Sequence, residues 1–398
     1  MDKEERFEKI KNFLRIWKRR FFIFLFVIGP GIITAVADND AGGIATYTVA
    51  ASIYGMASRF LIIPETMLLM ITQDVGAKIA IVTKKGLGEL IIEKFGIKIS
   101  LLIFFLYFIT NQGVVLQNIS GLKSAFTIFN LPWQLMLILT GLFLIFVVIR
   151  FDYKRLQRIF LSLIFFYFAY VIVALISNPH WFEAVRDTFI WPIDNKLTFE
   201  YWFARIAVMG TTITAWGQFF ISSYVSDKKL SISHLKYQKA EIYIGAFITS
   251  FFSFMIAIAV SETLHINNIV VKDGYAAALA LRPLAGNLAQ ALFAIGLFGA
   301  SILGLTIVPL ATAYVFAELF CYEGSLDVDF KRGKLFYLFF VLQIIISIII
   351  ALVPKIELFQ LTLYVDYLNG AMLPLIFYFL ILFSENNNMM GVYVSKGF

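Results

Sequence analysis

Long, almost uncharged apolar blocks constrain the fold of this chain more than any other feature of its sequence. Examples are 133–149, 159–176, 242–260 and 335–353. Each approaches the roughly 18–20 residues that carry a helix across about 30 Å of hydrocarbon. The strands of a membrane β-barrel would instead alternate apolar and polar residues over about ten positions. The blocks therefore predict an all-α polytopic membrane protein.

The composition supports this prediction and excludes other classes. Of 398 residues, 60% are hydrophobic and only 15% are charged, which is too little charge for the surface of a soluble protein. The single cysteine, Cys321, excludes a disulfide framework and a multi-cysteine zinc site. The net charge of +7 does not indicate nucleic-acid binding, because the basic residues follow membrane topology.

The apolar blocks predict about ten transmembrane helices. They lie approximately at 21–53, 58–82, 99–126, 133–150, 157–177, 203–225, 239–263, 286–320, 334–353 and 358–383. We divide the chain into a cytoplasmic basic arm (1–20), a first five-helix repeat (21–177), an extracytoplasmic loop (178–202), a second five-helix repeat (203–383) and a cytoplasmic tail (384–398).

The distribution of Lys and Arg predicts the orientation. The first 20 residues carry eight Lys or Arg and run into a full span without a signal-peptide cleavage site. With the N-terminus inside, the segments 83–98, 151–156, 226–238 and 321–333 face the cytoplasm, and they are richer in Lys and Arg than the opposite loops. This is the positive-inside pattern of a bacterial or archaeal inner-membrane protein.

Two spans are interrupted by polar residues. The first reads GPGIITAVADNDAGGIATYTVA over 29–50, and the sixth reads GTTITAWGQFFISS over 210–223. Polar, irregular backbone at that depth persists only where it lines a cavity or an ion site. Breaks five spans apart are typical of the inverted five-plus-five repeat, whose two broken helices form the substrate site. The alternative is ten spans with two unrelated polar kinks.

The first break supplies acidic and amide oxygens. We predict Asp40 as the central carboxylate for a cation, with Asp38 and Asn39 as further oxygen donors. We expect Gly42 and Gly43 to adopt non-helical dihedral angles that turn backbone carbonyls toward the ion. In the alternative interpretation, one Asp only caps the second half-helix.

The sixth span supplies neutral donors. Thr211 and Thr214 offer hydroxyls and freed carbonyls, and Gln218 offers an amide, although a helical Thr often only bonds back to its own helix. A site made of oxygen donors alone suits hard cations such as magnesium, calcium or manganese. We therefore predict a divalent metal ion as the cargo and no resident cofactor.

Polar residues also occur on other predicted spans. Asp366 and Asn369 on the tenth span are candidates to line the pathway, and Glu65 on the second span is a weaker one. The three histidines lie in predicted loops or at a span end, and no Ser/His or HExxH constellation is present. The chain is therefore not expected to be an enzyme.

These residues resemble the natural resistance-associated macrophage protein (Nramp) family of divalent metal transporters. GPG at 29–31 and DAGGIAT at 40–46 are similar to the opening of the family's first helix and its Asp-Pro-Gly-Asn signature. Further similarity lies in 73–96, 154–174 and 291–306. The resemblance implies the LeuT-type five-plus-five fold with broken first and sixth helices, and it places the family's metal-binding Asp on Asp40.

The chain departs from the family pattern at the metal site. The family's Asn falls on Gly43, and Asn39 is the candidate substitute. The sixth-helix Ala-x-x-Met aligns with Thr211 and Thr214, so the thioether that the family uses for soft metals is missing. The chain looks like the divergent prokaryotic branch related to Nramp magnesium transporters.

The departures also concern proton coupling. The positions of the family's sixth-helix His and third-helix acidic residues hold Trp216 and a series of amides, Asn111, Gln112, Gln117 and Asn118. We therefore expect uptake of magnesium or manganese by alternating access without proton coupling. The alternatives are a proton-coupled manganese or iron symporter and, from another class, a sodium-coupled amino-acid or organic-solute carrier on the same fold.

Overall fold

Ten membrane-spanning segments, eight continuous and two broken, make up the described part of the molecule. The computed structural model describes residues 27–190, 198–271, 274–353 and 361–395, and these contain helices and loops but no strand. Eight of their helices are long and apolar enough to cross a membrane. The first and sixth spans account for the other two, because each is divided into two half-helices. The predicted ten-span architecture is confirmed.

The bounds of the spans follow the chain in order. They are Pro30–Ala37 with Ala41–Tyr54, Ile62–Thr83, Leu87–Ile128, Trp133–Arg150, Tyr153–Leu163 continued to Ile176, Phe199–Thr212 with Ala215–Asp227, Leu235–Val260 extended by a π-helical turn Ser261–His265, Gly274–Leu319, Lys334–Leu352 and Leu361–Ser384.

Some predicted boundaries differ from the structure. The third helix starts at Leu87, inside the predicted loop 83–98, and it is interrupted at Gly96, where φ is +72°. The helix before the eighth span likewise starts at Gly274 and is interrupted at Gly286, where φ is +87°. Both interruptions are glycines because a positive φ is strained for other residues. Short helices thus occupy what the hydropathy pattern presented as loops.

Several predictions lie outside the described residues. These are the basic arm 1–20, the start of the first span (21–26), part of the loop 178–202 (191–197), the start of the tenth span (358–360) and the last residues of the tail (396–398). Within the described part of the loop 178–202, residues Trp181–Phe189 form a helix.

Burial separates a central set of helices from a peripheral set. In the seventh and eighth spans 72% of the most apolar window is buried inside the protein, against 28% in the fourth span. Large apolar side chains of the fourth span, such as Phe143 and Phe146, are more than half exposed. A membrane helix can leave such side chains bare because lipid tails are apolar. The broken first span and the second half of the sixth belong to the central set, and almost all of their side chains are buried.

Candidate metal site

The two helix breaks are built by the same capping device. The Asp40 carboxylate accepts a hydrogen bond at Oδ1 from the Gly43 N–H (3.1 Å). The Thr214 hydroxyl accepts one from the Gly217 N–H (2.9 Å). In each break a polar side chain therefore satisfies the free N–H of a glycine three residues later, as an N-cap does. Asp40 therefore acts as an N-cap, which was the alternative to a ligand role. Capping uses only one of its two carboxylate oxygens.

The glycines after the first break have a different role from the predicted one. Gly42 and Gly43 are part of the regular second half-helix, and the chain leaves the helix over 38–40 instead. What these glycines provide is space. A Cβ at Gly43 would lie 2.9 Å from the Thr211 hydroxyl oxygen, and one at Gly42 would lie 2.5 Å from the Gln117 amide oxygen. The prediction of non-helical dihedral angles was wrong, because close approach of neighbouring helices is what requires glycine here.

Asp38 joins the two breaks. The Thr214 hydroxyl donates a hydrogen bond to Asp38 Oδ1 at 2.6 Å. A Cβ at Gly217 would lie 2.9 Å from this same oxygen, and a Cβ at Gly43 would lie 2.8 Å from the Asp38 carbonyl oxygen. Of the predicted donors, the structure thus brings Asp38, Gly43, Thr211 and Thr214 into one contact region. Asp38 is fully buried, and its Oδ2 has no hydrogen-bond partner among the described residues.

Asp40 and Asn39 make polar contacts with other helices. The Asn118 side chain on the third span donates from Nδ2 to Asp40 Oδ2 at 2.6 Å and accepts from the Ala41 N–H at 3.1 Å. Asn39 donates from Nδ2 to the Thr249 carbonyl on the seventh span at 2.8 Å. The Asn39 amide is therefore held by the seventh span, and only its Oδ1 oxygen has no hydrogen-bond partner within the described part of the chain.

The charge at the breaks has no compensating cation in the described part of the protein. Neither Asp38 nor Asp40 forms an ion pair there, and both are buried. An isolated buried carboxylate is strongly unfavourable. The Gln218 side chain, which lies one turn after Thr214 and on the same helix face, also has both amide atoms buried without a hydrogen-bond partner among the described residues. This arrangement can bind a cation through carboxylate, amide and hydroxyl oxygens.

The donors are mixed rather than purely acidic. Among the described residues, no three His, Cys, Asp or Glu side chains lie close enough together to hold one metal ion. Any metal ion at the breaks would therefore use at most two carboxylates and would complete its shell with neutral oxygens or water. Such a shell suits a hard cation that keeps part of its hydration.

A second polar group lies beside the breaks and includes the tenth span. Asp366 accepts hydrogen bonds from the Thr46 hydroxyl (2.5 Å) and from Gln117 Nε2 (3.3 Å). Asn369 is fully buried, and neither of its amide atoms has a hydrogen-bond partner in the described part. Because Gln117 precedes Asn118, neighbouring residues of the third span hold Asp366 and Asp40. The role of Asp366 and Asn369 in the pathway stays a prediction.

Charged side chains close the end of the bundle at which the first span terminates, which we call the Tyr54 end. Arg205 on the sixth span forms a buried ion pair with Glu65 on the second and also donates to the Ser58 carbonyl. Arg59 donates to the Ser253 hydroxyl at 3.0 Å, and its guanidinium carbon lies 5.0 Å from the centre of the Tyr47 ring. These contacts tie the first half of the sixth span to the first and second spans.

The opposite end, called the Pro30 end, is closed by contacts to the start of the first span. Glu241 on the seventh span accepts hydrogen bonds from three backbone N–H groups, those of Gly29 (2.7 Å), Ile32 (2.9 Å) and Gly31 (3.1 Å). Lys228 donates to the carbonyls of Val27 (2.7 Å) and Ile28 (3.0 Å), and Gln157 donates to that of Ile28 (2.5 Å). The carboxylates at the breaks are therefore shut off from both ends.

Sequence reasoning missed several of these contacts. Arg205 lies inside the predicted sixth span and Arg59 lies at the start of the predicted second span. Because a charge in an apolar span needs a partner, both could have been connected with Glu65. The three N–H contacts of Glu241 could not be found in this way, since no pattern along the chain shows that the seventh span lies beside the first.

Comparison with known proteins points to one family. The family model described as "Natural resistance-associated macrophage protein-like" matches residues 31–398. The divalent metal cation transporter MntH of Caldanaerobacter subterraneus subsp. tengcongensis is 25% identical over 287 residues, which cover 69% of this chain and 67% of that protein. MntH of Staphylococcus aureus (strain JH9) is 24% identical over 249 residues, 61% of this chain and 54% of that protein. The matches thus span between about half and two thirds of these relatives.

A solved structure supports the fold. The crystal structure of the Eremococcus coleocola manganese transporter in complex with an aromatic bis-isothiourea substituted compound superposes with a TM-score of 0.72 at 16% identity, covering 96% of this chain and 83% of that one. The inverted-repeat transporter fold predicted from the two breaks is confirmed. The relatives are named as transporters, in agreement with the expectation that this chain is not an enzyme.

The buried ion pair at the Tyr54 end leads to a stability prediction. Glu65→Gln leaves Arg205 buried without its counter-charge, which should cost about 3–5 kcal/mol and lower the melting temperature measured in detergent. Glu65→Leu/Arg205→Met should recover part of this loss. As a control, Lys85→Gln removes one partner of the exposed pair with Glu93 and should cost less than about 1 kcal/mol. If Glu65→Gln melted like the unmodified protein, the pair would have no part in holding this end closed.

Proposed function

The chain belongs to the natural resistance-associated macrophage protein (Nramp) family, and on this basis we propose that it carries a divalent cation, magnesium or manganese, by alternating access. The observation that carries the proposal is the pair of buried carboxylates, Asp38 and Asp40, at the meeting point of two broken helices. No basic residue of the described part compensates their charge. In this proposal the ion is the cargo of the protein and supplies the missing positive charge.

We assign the binding of the ion to the oxygens around the two breaks. Asp38 lies between the breaks with an unpartnered carboxylate oxygen, and Asp40 is held in position by Asn118 and Gly43. Thr211, Thr214, Asn39 and Gln218 supply neutral oxygens, and Gly43 leaves the space for them. Because both ends are closed around the breaks, transport requires the contacts of Arg205 and of Glu241 to open in turn. The half-helices then move against the rest of the bundle.

We place the Pro30 end in the cytoplasm of a bacterial or archaeal cell. The segments at that end carry Lys84, Lys85, Lys154, Arg155 and Lys228, whereas the short connection at the Tyr54 end, 129–132, has no basic residue. This supports the positive-inside orientation. In this orientation the first half-helix of the first span faces the cytoplasm, and transport brings the cation into the cell.

We expect Asp40→Asn to abolish transport while leaving the fold intact. Asn is as good an N-cap as Asp, so the second half-helix keeps its cap, whereas the charge and the hydrogen bond from Asn118 are lost. Uptake of magnesium and manganese into proteoliposomes should fall at least about 100-fold, because loss of a direct ligand should match the largest effects of outer-shell substitutions.

A matched control for this experiment is Asp187→Asn, because Asp187 is an exposed carboxylate whose ion pair is with its neighbour Arg186. This variant should transport like the unmodified protein. Unchanged magnesium and manganese uptake by Asp40→Asn would remove Asp40 from the site. The ratio of magnesium to manganese uptake by the unmodified protein decides between the two cargoes.

Thr214→Met tests why the site should accept hard cations. The substitution places a soft thioether where the break has a hydroxyl, and soft ligands favour manganese over magnesium. If the sulfur contributes about 1.4 kcal/mol, the concentration of magnesium that halves manganese uptake should rise about tenfold. Thr214→Val is the control, since it removes the same hydroxyl without adding sulfur. An equal shift in both variants would assign the effect to the lost hydroxyl.

Transport should proceed without proton movement. On the third span, Asn118 donates to Asp40, Asn111 donates to Thr312 (2.8 Å) and Gln112 donates to Ser347 on the ninth span (2.6 Å). Amides do not titrate, so this face offers no proton relay. Proteoliposomes with an internal pH dye should show metal uptake with no parallel acidification. Acidification that rises in proportion to metal influx would support the proton-coupled alternative.

A further inference from the structure

A cavity at the Pro30 end is lined by more basic than acidic side chains. It has a volume of about 540 Å³ and lies between the start of the fifth span and the end of the sixth. Four basic side chains line it, Lys154, Arg158, Lys228 and Lys229, together with the carboxylates of Asp227 and Asp327. We call this cavity the basic pocket. Burial lowers the pKa of Lys228 to about 8, so its amine is still mainly protonated at neutral pH.

The two carboxylates are bonded to other groups of the protein. Asp327 accepts a hydrogen bond from the Tyr153 N–H at 3.0 Å. Asp227 accepts from the Tyr314 hydroxyl at 2.5 Å and from the Leu326 N–H at 3.2 Å. Neither carboxylate forms an ion pair with a basic residue within the described ranges. The positive charge of the basic pocket is therefore only partly offset.

Some other basic residues at this end are paired. Lys85 pairs with Glu93, Arg155 with Asp152 at 3.8 Å, and Lys239 with Asp74 at 3.6 Å. In contrast, Lys154, Arg158 and Lys229 have no ion pair in the part of the chain that the structure describes. The positive-inside pattern explains why basic residues occur at this end. It does not explain why these three, together with Lys228, line one cavity.

The helix that carries Lys154 and Arg158 continues into an apolar face. These residues are one turn apart, and Phe165 lies two turns beyond Arg158 on the same side of the helix. Phe165 is 74% exposed and Phe168 is 49% exposed, and their rings are stacked. In a membrane such side chains contact acyl chains. Unpaired basic groups at the interface and bare aromatic rings below them thus form one continuous strip.

We propose that the basic pocket binds the phosphate headgroup of an anionic phospholipid, whose acyl chains lie along Phe165 and Phe168. Basic pockets between membrane helices on the cytoplasmic side have the charge for such headgroups, and a soluble phosphate would make no use of the apolar face. Lys228 and Gln157, which line the basic pocket, also bind the carbonyls of Val27 and Ile28. A bound headgroup would therefore contact the groups that hold the start of the first span.

Binding is measured by native mass spectrometry on the full chain in detergent. The ligands are dioctanoyl phosphatidylglycerol, dioctanoyl phosphatidylcholine and inorganic phosphate. We expect phosphatidylglycerol to bind at one saturable site and the other two to bind much more weakly. Lys154→Gln/Arg158→Gln should weaken phosphatidylglycerol binding about 30-fold, the effect of two basic groups near a charged lipid. Both side chains are exposed, so this variant should fold normally.

The matched control is Arg155→Gln/Lys331→Gln, which removes the same charge from the same end without touching the basic pocket. It should bind phosphatidylglycerol within about twofold of the unmodified protein, since neither side chain lines the basic pocket and Arg155 is already paired with Asp152. An equal loss in both variants would show general surface attraction and overturn the proposal. Equal binding of inorganic phosphate would overturn the assignment to lipid, and so would absence of a saturable phosphatidylglycerol site. None of these outcomes depends on metal transport.

Discussion

Negative charge enclosed in a low-dielectric interior is the constraint on which the rest of this structure depends. Asp38 and Asp40 are buried at the ends of half-helices, where the backbone also has unpaired polar groups. The protein satisfies these groups with short hydrogen bonds from Thr214 and Asn118 and from the N–H of Gly43. It provides no positive side chain for the carboxylates in the described part. Because no side chain in that part neutralises these carboxylates, they attract a cation from outside the protein. The arrangement therefore suits a transported ion and not a permanent ion pair.

Buried carboxylates have different partners at the breaks and at the two ends of the bundle. At the Tyr54 end Glu65 is neutralised by Arg205, and at the Pro30 end Glu241 receives three backbone N–H groups. In the proposed transport cycle, both contacts join elements that separate for an ion to pass. The carboxylates at the breaks have no counter-charge among the described residues, whereas Glu65 and Glu241 at the two ends are bonded to groups of neighbouring helices. In our proposal, the breaks are therefore the binding site and the two ends are the barriers, and both are made from the same few residue types.

Local patterns in the sequence predicted much of this architecture. The length of the apolar blocks predicted ten spans, and the polar residues within the first and sixth predicted where they break. Asp38, Gly43, Thr211 and Thr214 indeed lie together. The orientation of individual side chains could not be predicted, because it depends on which helix lies opposite. Asn39 donates to Thr249 on the seventh span and Asp40 accepts from Asn118 on the third, and neither partner stands near the break along the chain.

The shared form of the two caps has a consequence for motion. Asp40 satisfies the N–H of Gly43, and Thr214 satisfies that of Gly217, inside the same half-helix that each residue begins. A half-helix can therefore tilt about its break and take its cap along, and at the first break the main-chain hydrogen bond from the Asp40 N–H to the Ala37 carbonyl (3.1 Å) is one that this motion would change. The contacts that oppose reorientation are then those between different helices: Thr214 with Asp38 and Asn118 with Asp40 at the breaks, and those of Arg205 and Glu241 at the two ends. Each half-helix thus keeps its capped end while its orientation changes.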